Sequence, residues 1–444
     1  MHASYNSCIT ERQRKVLTMT CDSKHPPTDS LSYQQKRVEL PRGTLDLSYR
    51  LSGEHSYQLD DLLGFAQRIN PKRAFLFVSK VLGRHIPVSP QIMRQAFSHL
   101  AHTVPDNLPE PIVVVGMAET AVGLSAGVHQ ALQARYPNAL LLNSTRHAQQ
   151  QASLLTTFSE DHSHASTHLI YQSDEPHIQA QLMASKTLIM VDDEASTGNT
   201  CVNVVSALRE AGLTELEQVH LVTLVDWSLG QADNDDHIAL RLEGIAFERH
   251  HLMAGDWQWT DAPDPQPITM PSVDTTDAGS QPLLATGNWG RQPTLDSTEG
   301  FAHFLARFKQ AYQRARGIDV VSDPFIKDSG TTDNAQSTRI LVLGSNEFVW
   351  LPFLLAEWIE QQALTTSQSR AQVSFSALTR SPIALGGAID AVLSFQDNYG
   401  LGMTNFVYNV VPEQWDIIVL CVETPTESVD ALWHNLDNVI VVSP

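Results

Sequence analysis

Residues 187–212 read TLIMVDDEASTGNTCVNVVSALREAG, and the residue types in this stretch spell out a strand, a loop and a helix. Leu188 to Val191 is an apolar run the length of a buried strand. Two adjacent carboxylates, Asp192 and Asp193, stand where that strand ends. Small residues follow: Ala195, Ser196, Thr197, Gly198, Asn199 and Thr200. Val202, Val205 and Leu208 then fall on one face of a helix, and Gly212 is placed to end it. A strand that passes through small residues into a helix N-terminus is a cradle for phosphate. Backbone N–H groups converge there and the helix dipole favours an anion. No Lys-Ser/Thr pair follows Gly198, so the loop is not of the ATP-binding kind.

The acids narrow the ligand. The loop suits a 5′-phosphate, while Asp192 and Asp193 suit the 2′- and 3′-hydroxyls of a ribose. A bland reading has the same acids as solvated tips of an ordinary turn. The whole stretch resembles the PRPP-binding motif of type I phosphoribosyltransferases: a hydrophobic strand, two acids, then Thr-Gly-x-Thr. The resemblance implies that Asp192 and Asp193 orient the ribose and touch Mg²⁺ through water. It implies that Ala195 to Thr200 hold the phosphate. Magnesium prefers oxygen ligands and keeps part of its water shell.

The chain has 444 residues, room for two or three domains, and 42% are hydrophobic, enough for sizeable cores. A formal net charge of −20 argues against general nucleic-acid or anionic-membrane binding. A site for an anion as charged as PRPP must then be a local basic pocket. Cys8, Cys21, Cys201 and Cys421 are scattered without metal-ligand spacing, which fits a reduced cytoplasmic protein. No apolar run is long enough to span a bilayer, and the first residues lack the apolar segment of a secretory signal. Either Met1 or Met19 fits as a start.

Residues 1–37 are polar and unperiodic and read as a tail. Residues 38–260 carry the first domain. Leu45, Leu47, Tyr49 and Leu51 alternate as in a strand, and Leu59 to Ile69 reads as a short helix. Lys72, Arg73, Lys80, Arg84 and His85 surround an apolar run at Phe75 to Val78. They are either an anion site or solvated charges near a turn. Pro90 to His102 reads as a helix, and Pro111 to Met117 as a second buried strand. Ala118, Glu119 and Thr120 open the loop after it, where type I enzymes place a pyrophosphate-binding loop. Leu140 to Asn143 reads as a third strand, followed by Arg146. Thr157 to Gln172 is rich in His and Ser and matches the mobile loop that such enzymes close over PRPP. Arg146, His162 and His164 are candidates for the leaving pyrophosphate. Asp161, His162, His164 and His168 also offer zinc-ligand types, without a familiar zinc spacing. Val219 to Val225 is another strand, and Ile245 to Trp259 reads as an edge strand.

Residues 261–285 are a linker by composition, and residues 286–444 read as a smaller α/β domain. A helix at Phe301 to Tyr312 and an almost wholly apolar one at Phe348 to Ile359 alternate with strands at Arg339–Gly344, Val373–Leu378, Phe406–Val410, Ile417–Val422 and Val439–Val442. Thr379-Arg380-Ser381-Pro382 resembles the signature of the TRSP domain, found behind a phosphoribosyltransferase domain in bacterial tellurite-resistance and stress gene clusters. The stretches NPKRAFLFVSKVLGRHIP and SEDHSHAS are similar to the N-terminal domain of that family. Arg380 and Ser381 suit a phosphate or carboxylate at a strand end, or an acid across a domain interface.

The resemblance implies an α/β protein: a type I phosphoribosyltransferase domain with a Rossmann-like parallel sheet, then a smaller α/β domain. It implies Mg²⁺-dependent transfer of the 5-phosphoribosyl group from PRPP to a nitrogenous base, toward a nucleotide- or nucleoside-like metabolite. The alternative is a non-catalytic PRPP or nucleotide sensor, or a scaffold in a stress response. The expected partners are PRPP and a small base, with no nucleic acid and no membrane; a homodimer stays open. Hydrogen exchange over Thr157 to Thr167 is expected to slow when PRPP and Mg²⁺ are added. Unchanged exchange would make this stretch a plain surface loop.

Overall fold

The alternating apolar runs pair into one large sheet. In a computed structural model of the protein, the described residues are 33–53, 55–69, 73–150, 152–159, 167–229, 233–273, 280–322, 337–365 and 371–444. Seven strands lie in the order Gln34–Leu40, Gly43–Leu51, Ala246–Asp261, Gln218–Asp226, Thr187–Ala195, Ile112–Gly116 and Leu140–Asn143. The last five named are mutually parallel, and a hairpin at the first two closes the other edge antiparallel. Parallel strands covered on both faces need apolar side chains throughout, which explains the continuous runs at Ile112–Gly116 and Leu188–Val191. Ala246–Asp261 is an interior strand rather than the expected edge, because Gly43–Leu51 pairs along its second half. The first strand begins at Gln34, inside the stretch read as a tail.

The helix expected at Leu59 to Ile69 stops at Leu62. Leu63–Gln67 instead pairs antiparallel with Phe75–Ser79. All five residues Leu63 to Gln67 are buried, a pattern that a helix with one solvated face does not give. Helix Pro90–His102 begins as its sequence dictates: Ser89 caps it through its side chain and Pro90 takes the first position, where no N–H is required.

A second, four-stranded parallel sheet has the order Ala371–Ala377, Thr338–Gly344, Ile417–Cys421 and Val439–Val442. It is not a separate globule. Residues Gln34 to Pro444 form one compact unit, and one continuous core runs from Leu45 and Leu47 of the first sheet to Val342, Phe375 and Val419 of the second. The seam is helix against helix. Phe97 of Pro90–His102 meets Phe353 of Trp350–Thr365 edge-on at 5.4 Å, and Phe353 meets Phe375 at 5.9 Å. Arg94 lies over Trp350 and Phe353 and forms a two-pronged ion pair with Glu357, at 2.7 and 2.6 Å. On its other side Phe97 packs onto Gly127 of helix Val122–Leu132, where any side chain would collide with the ring.

Backbone bonds stitch the same seam. Val88 and Phe375 exchange hydrogen bonds at 3.0 and 2.8 Å, and Ala388 N–H donates to the Phe65 carbonyl at 2.8 Å. At the far edge of the first sheet, Leu141 and Thr294 exchange bonds at 2.8 and 3.0 Å, so a segment beyond the expected linker covers that edge. Among the described residues no helix is long and apolar enough to cross a membrane. Because Phe353 sits in the shared core, Phe353→Ala is expected to destabilise the protein by about 3–5 kcal/mol. Unfolding should remain a single transition; two separated transitions in calorimetry would show that the two sheets unfold independently.

Candidate functional site

The crevice forms where the sheet order reverses. The chain leaves Ile112–Gly116 to build Leu140–Asn143 on one side, then returns to add Thr187–Ala195 on the other. Loops leaving neighbouring strands in opposite directions open a cleft at their carboxyl ends, which is where open α/β sheets bind ligands. Gly116 pairs with Val191, so Asp192 to Ala195 extend past the shorter strand and along the lip of this cleft. The loop after them turns at Gly198, whose φ of +80° is left-handed. A side chain there would also press on Ile238 and Arg249. Gly198 caps helix Asn199–Glu210 without a side chain of its own; the Asn199 N–H donates to Thr197 Oγ1 at 3.3 Å, and the N–H groups that follow are open to a ligand. Gly212 follows the last turn with a φ of +116°, as its place in the sequence predicts.

Asp192, Asp193 and Glu194 are half-buried in a row. Burial, together with the adjacent Glu194, pushes the Asp193 carboxyl up to about 6. Crowded carboxylates of this kind are a set of hard oxygen donors, and they fit a water-bridged Mg²⁺ as the chemistry of that ion requires. Glu194 is already neutralised. Arg73 grips it with both prongs at 2.6 and 3.1 Å while lying over Phe75 and Phe77.

On the opposite lip, Ala118 N–H donates to Ser144 Oγ at 3.0 Å, and the Ala118–Glu119 peptide is cis. Glu119 pairs with buried Arg84 at 2.6 Å, Arg84 also reaches the Asn346 carbonyl at 2.7 Å, and Thr120 is half-buried beside them. Arg146 enters through its backbone: its N–H donates to Glu347 Oε1 at 2.7 Å, and Thr145 Oγ1 donates to Glu347 Oε2 at 2.5 Å. Arg146 lines a cleft of about 700 Å³ with His147, Gln149, Gln281 and Tyr399, whose lining includes neither Asp192–Thr200 nor Ala118–Thr120.

The other basic candidates are spent or elsewhere. Lys80 donates to the Asp60 carbonyl at 2.8 Å and lines a different groove, with Trp415 and Asp390. Arg380 is half-buried with its guanidinium 3.8 Å from the Met403 sulfur, and it makes no ion pair with a described residue. Ser381 is exposed, and no hydrogen bond joins either residue to the crevice. Lys72, His162 and His164 lie outside the described residues, as does Asp161. His168 is buried against Phe158, with Nδ1 3.0 Å from Ser144 Oγ.

Two features were not foreseen from the sequence. Arg249 braces the loop before helix Asn199–Glu210, bonding the Thr197 carbonyl at 3.2 Å, the Ser196 carbonyl at 3.5 Å and buried Asp226 at 3.2 Å. Arg241 reaches Asn199 at 3.1 Å and Asn203 at 2.9 Å. The second feature is Glu347, at the carboxyl end of the central strand of the second sheet. Arg291 clamps Glu423 at 2.6 and 2.8 Å and reaches Glu347 at 3.4 Å, and Tyr399 donates to Glu423 at 2.9 Å. The polar Ser-Asn-Glu after the run Arg339–Gly344 was the available signal, since strand carboxyl ends carry chemistry in such sheets.

Residues 62–256 match the family model described as phosphoribosyl transferase, and residues 310–438 match that of the TRSP domain, described as the C terminus to the former. The chain carries a phosphoribosyl transferase domain followed by a TRSP domain. A comparison with curated protein sequences gives no match. Among solved structures, adenine phosphoribosyl transferase from Trypanosoma brucei aligns at 11% identity and a TM-score of 0.30, over 43% of this chain and 76% of its own. The Giardia lamblia enzyme aligns at 14% and 0.29, over 43% and 96%. The Leishmania tarentolae enzyme aligns at 12% and 0.32, over 43% and 83%. The assignment of the transferase rests on the family models and not on these distant likenesses.

Burial alone would raise the Glu347 carboxyl of the transferase. His147, Arg291 and the bonds from Thr145 and Arg146 outweigh it and hold the group at about 2. A carboxyl lowered from the ordinary 4.5 stabilises the fold above that pH and loses its contribution as pH falls toward 2. Glu347→Gln is therefore expected to cost about 3–5 kcal/mol at neutral pH, where it leaves Arg291 undercompensated. In urea unfolding the difference should narrow below pH 4.5. Equal stability at neutral pH would remove Glu347 from this role.

Proposed function

We propose that the transferase moves the 5-phosphoribosyl group of PRPP onto a nitrogenous base with Mg²⁺ and releases pyrophosphate, yielding a nucleotide-like product in the cytoplasm. What supports the reading is the juxtaposition at the switch point: Asp192 and Asp193 run into a small-residue loop and a helix N-terminus on one lip, and the Ala118–Thr120 turn follows the neighbouring strand on the other. The loop from Ser196 to Thr200 receives the 5′-phosphate on its N–H groups, and Arg249 holds that loop by its carbonyls so that the N–H groups face outward. Asp192 and Asp193 accept hydrogen bonds from the ribose hydroxyls and would hold Mg²⁺ through water. Bound with pyrophosphate, the ion would neutralise charge that grows on the leaving group.

As the bond from C1 to the pyrophosphate oxygen lengthens, positive charge grows on the ribose and negative charge on pyrophosphate. The nitrogen of the base then forms the new bond to C1 and gives up its proton to the departing pyrophosphate or to water. The protein contributes position and field. Arg146, with its backbone fixed by Glu347, is suited to the departing pyrophosphate. Asp192 and Asp193 place negative charge beside the electron-poor ribose.

Replacing both acids, Asp192→Asn with Asp193→Asn, should weaken Mg²⁺-dependent PRPP binding. Each charge-assisted bond contributes about 1.5–3 kcal/mol. Titration calorimetry on the folded double variant measures it, and an unchanged affinity would reject the ribose role.

A further inference from the structure

At the other end of the large sheet, three metal-ligand side chains converge. His220 lies near the start of strand Gln218–Asp226, and Glu248 and His250 lie on the adjacent strand Ala246–Asp261. His220 and Glu248 are register partners and His250 is two residues further on, so all three project from one face. His220 Nδ1 is 2.9 Å from His250 Nε2, and Glu248 Oε2 is 3.9 Å from the first and 3.7 Å from the second. A tetrahedral ion bound at about 2.0–2.1 Å holds its donors about 3.3 Å apart, and the three separations bracket that spacing. The cluster is six residues along its strand from Asp226, or about 20 Å, so it is separate from the phosphate crevice.

The surroundings orient the rings. His220 Nε2 faces Gln218 Oε1 at 3.1 Å, which places the ring proton on Nε2 and the lone pair of a neutral ring on Nδ1. His250 Nε2 faces that Nδ1 at 2.9 Å, so a cation between the two rings would take a lone pair from each. Helix Pro90–His102 ends at its C-cap Thr103 beside His250, and the negative end of its dipole favours a cation. His220 and His250 have side chains 3% and 10% exposed, while Glu248 is 58% exposed and gives access from solvent.

We propose that His220, Glu248 and His250 bind one divalent transition-metal ion of the zinc class, with water completing its coordination. Two imidazoles and a carboxylate suit zinc and its neighbours, and the set is poorly matched to magnesium. The ion links two adjacent strands beside the end of a helix, and so acts on the stability of the sheet rather than on the transferred group.

The test uses the full chain, stripped by chelator and titrated with Co²⁺ in the absence of PRPP. One equivalent should bind, with visible ligand-field bands that Zn²⁺ displaces, and zinc should raise the melting temperature. His220→Ala with His250→Ala should abolish the bands. Gln218→Ala, which removes only the orienting partner, should weaken binding roughly 10–100-fold. Glu248 is exposed enough that Glu248→Gln should fold normally. Its metal-free melting should match the parent while cobalt binding falls by a similar factor. Three results would overturn the site: no saturable cobalt at one per chain, bands that persist in the double histidine variant, or a folded Glu248→Gln protein that binds like the parent. Each would leave a proton shared between the two rings as the account of their contact.

Discussion

A carboxylate buried between two sheets must be matched or it will not remain ionised, and Glu347 is matched from both sides. Thr145 and the Arg146 N–H approach from the large sheet, and Arg291 approaches from the segment that joins the two parts. Glu423 and Tyr399 complete the group from the small sheet. Removing any one member leaves a buried charged or polar neighbour with fewer partners than it needs, so the members constrain one another. The same contacts fix the backbone at Arg146. The TRSP part thus holds the Thr145–Arg146 turn of the large sheet in position.

Most of the charge around the crevice is already balanced inside the protein. The chain is strongly acidic, and several nearby cations are already committed: Arg73 to Glu194, Arg84 to Glu119, Arg249 to Asp226 and two carbonyls. What the loop at Gly198 still offers an anion is oriented backbone N–H groups, which add no net charge to the molecule. The committed arginines keep loops and carbonyls turned one way.

The parallel strands of both sheets were legible because buried parallel strands carry uninterrupted apolar runs, and the crevice loop was legible because its residue types follow one another without a gap; the polar edge strand Gln34–Leu40 gave no such run. Leu59 to Ile69 misled because a short apolar segment does not distinguish a helix from a strand; the partner Phe75–Ser79, eight residues on, decides it. Ala246–Asp261 was assigned to the edge because its pairing with Gly43–Leu51 spans two hundred residues of sequence and leaves no local trace. Arg249 and Glu347 were missed for the same reason. Each acts across a long loop of chain, and nothing beside either in the sequence marks the partner. Among the basic candidates, the residue type was visible but its prior commitment to an acid was not.

The pairing of Thr294 with Leu141, and of the Asn143 N–H with the Gly290 carbonyl, has a meaning beyond fold description. Leu140–Asn143 is the last strand of the large sheet, and its outward N–H and C=O groups would otherwise form an open template. The chain itself supplies the cover, from residues that composition assigns to the second part. A polypeptide ended by a stop codon or a protease before Gly290 would keep every residue of the phosphate crevice and yet expose a sticky edge. Its fate would be decided by other copies of itself rather than by its ligand.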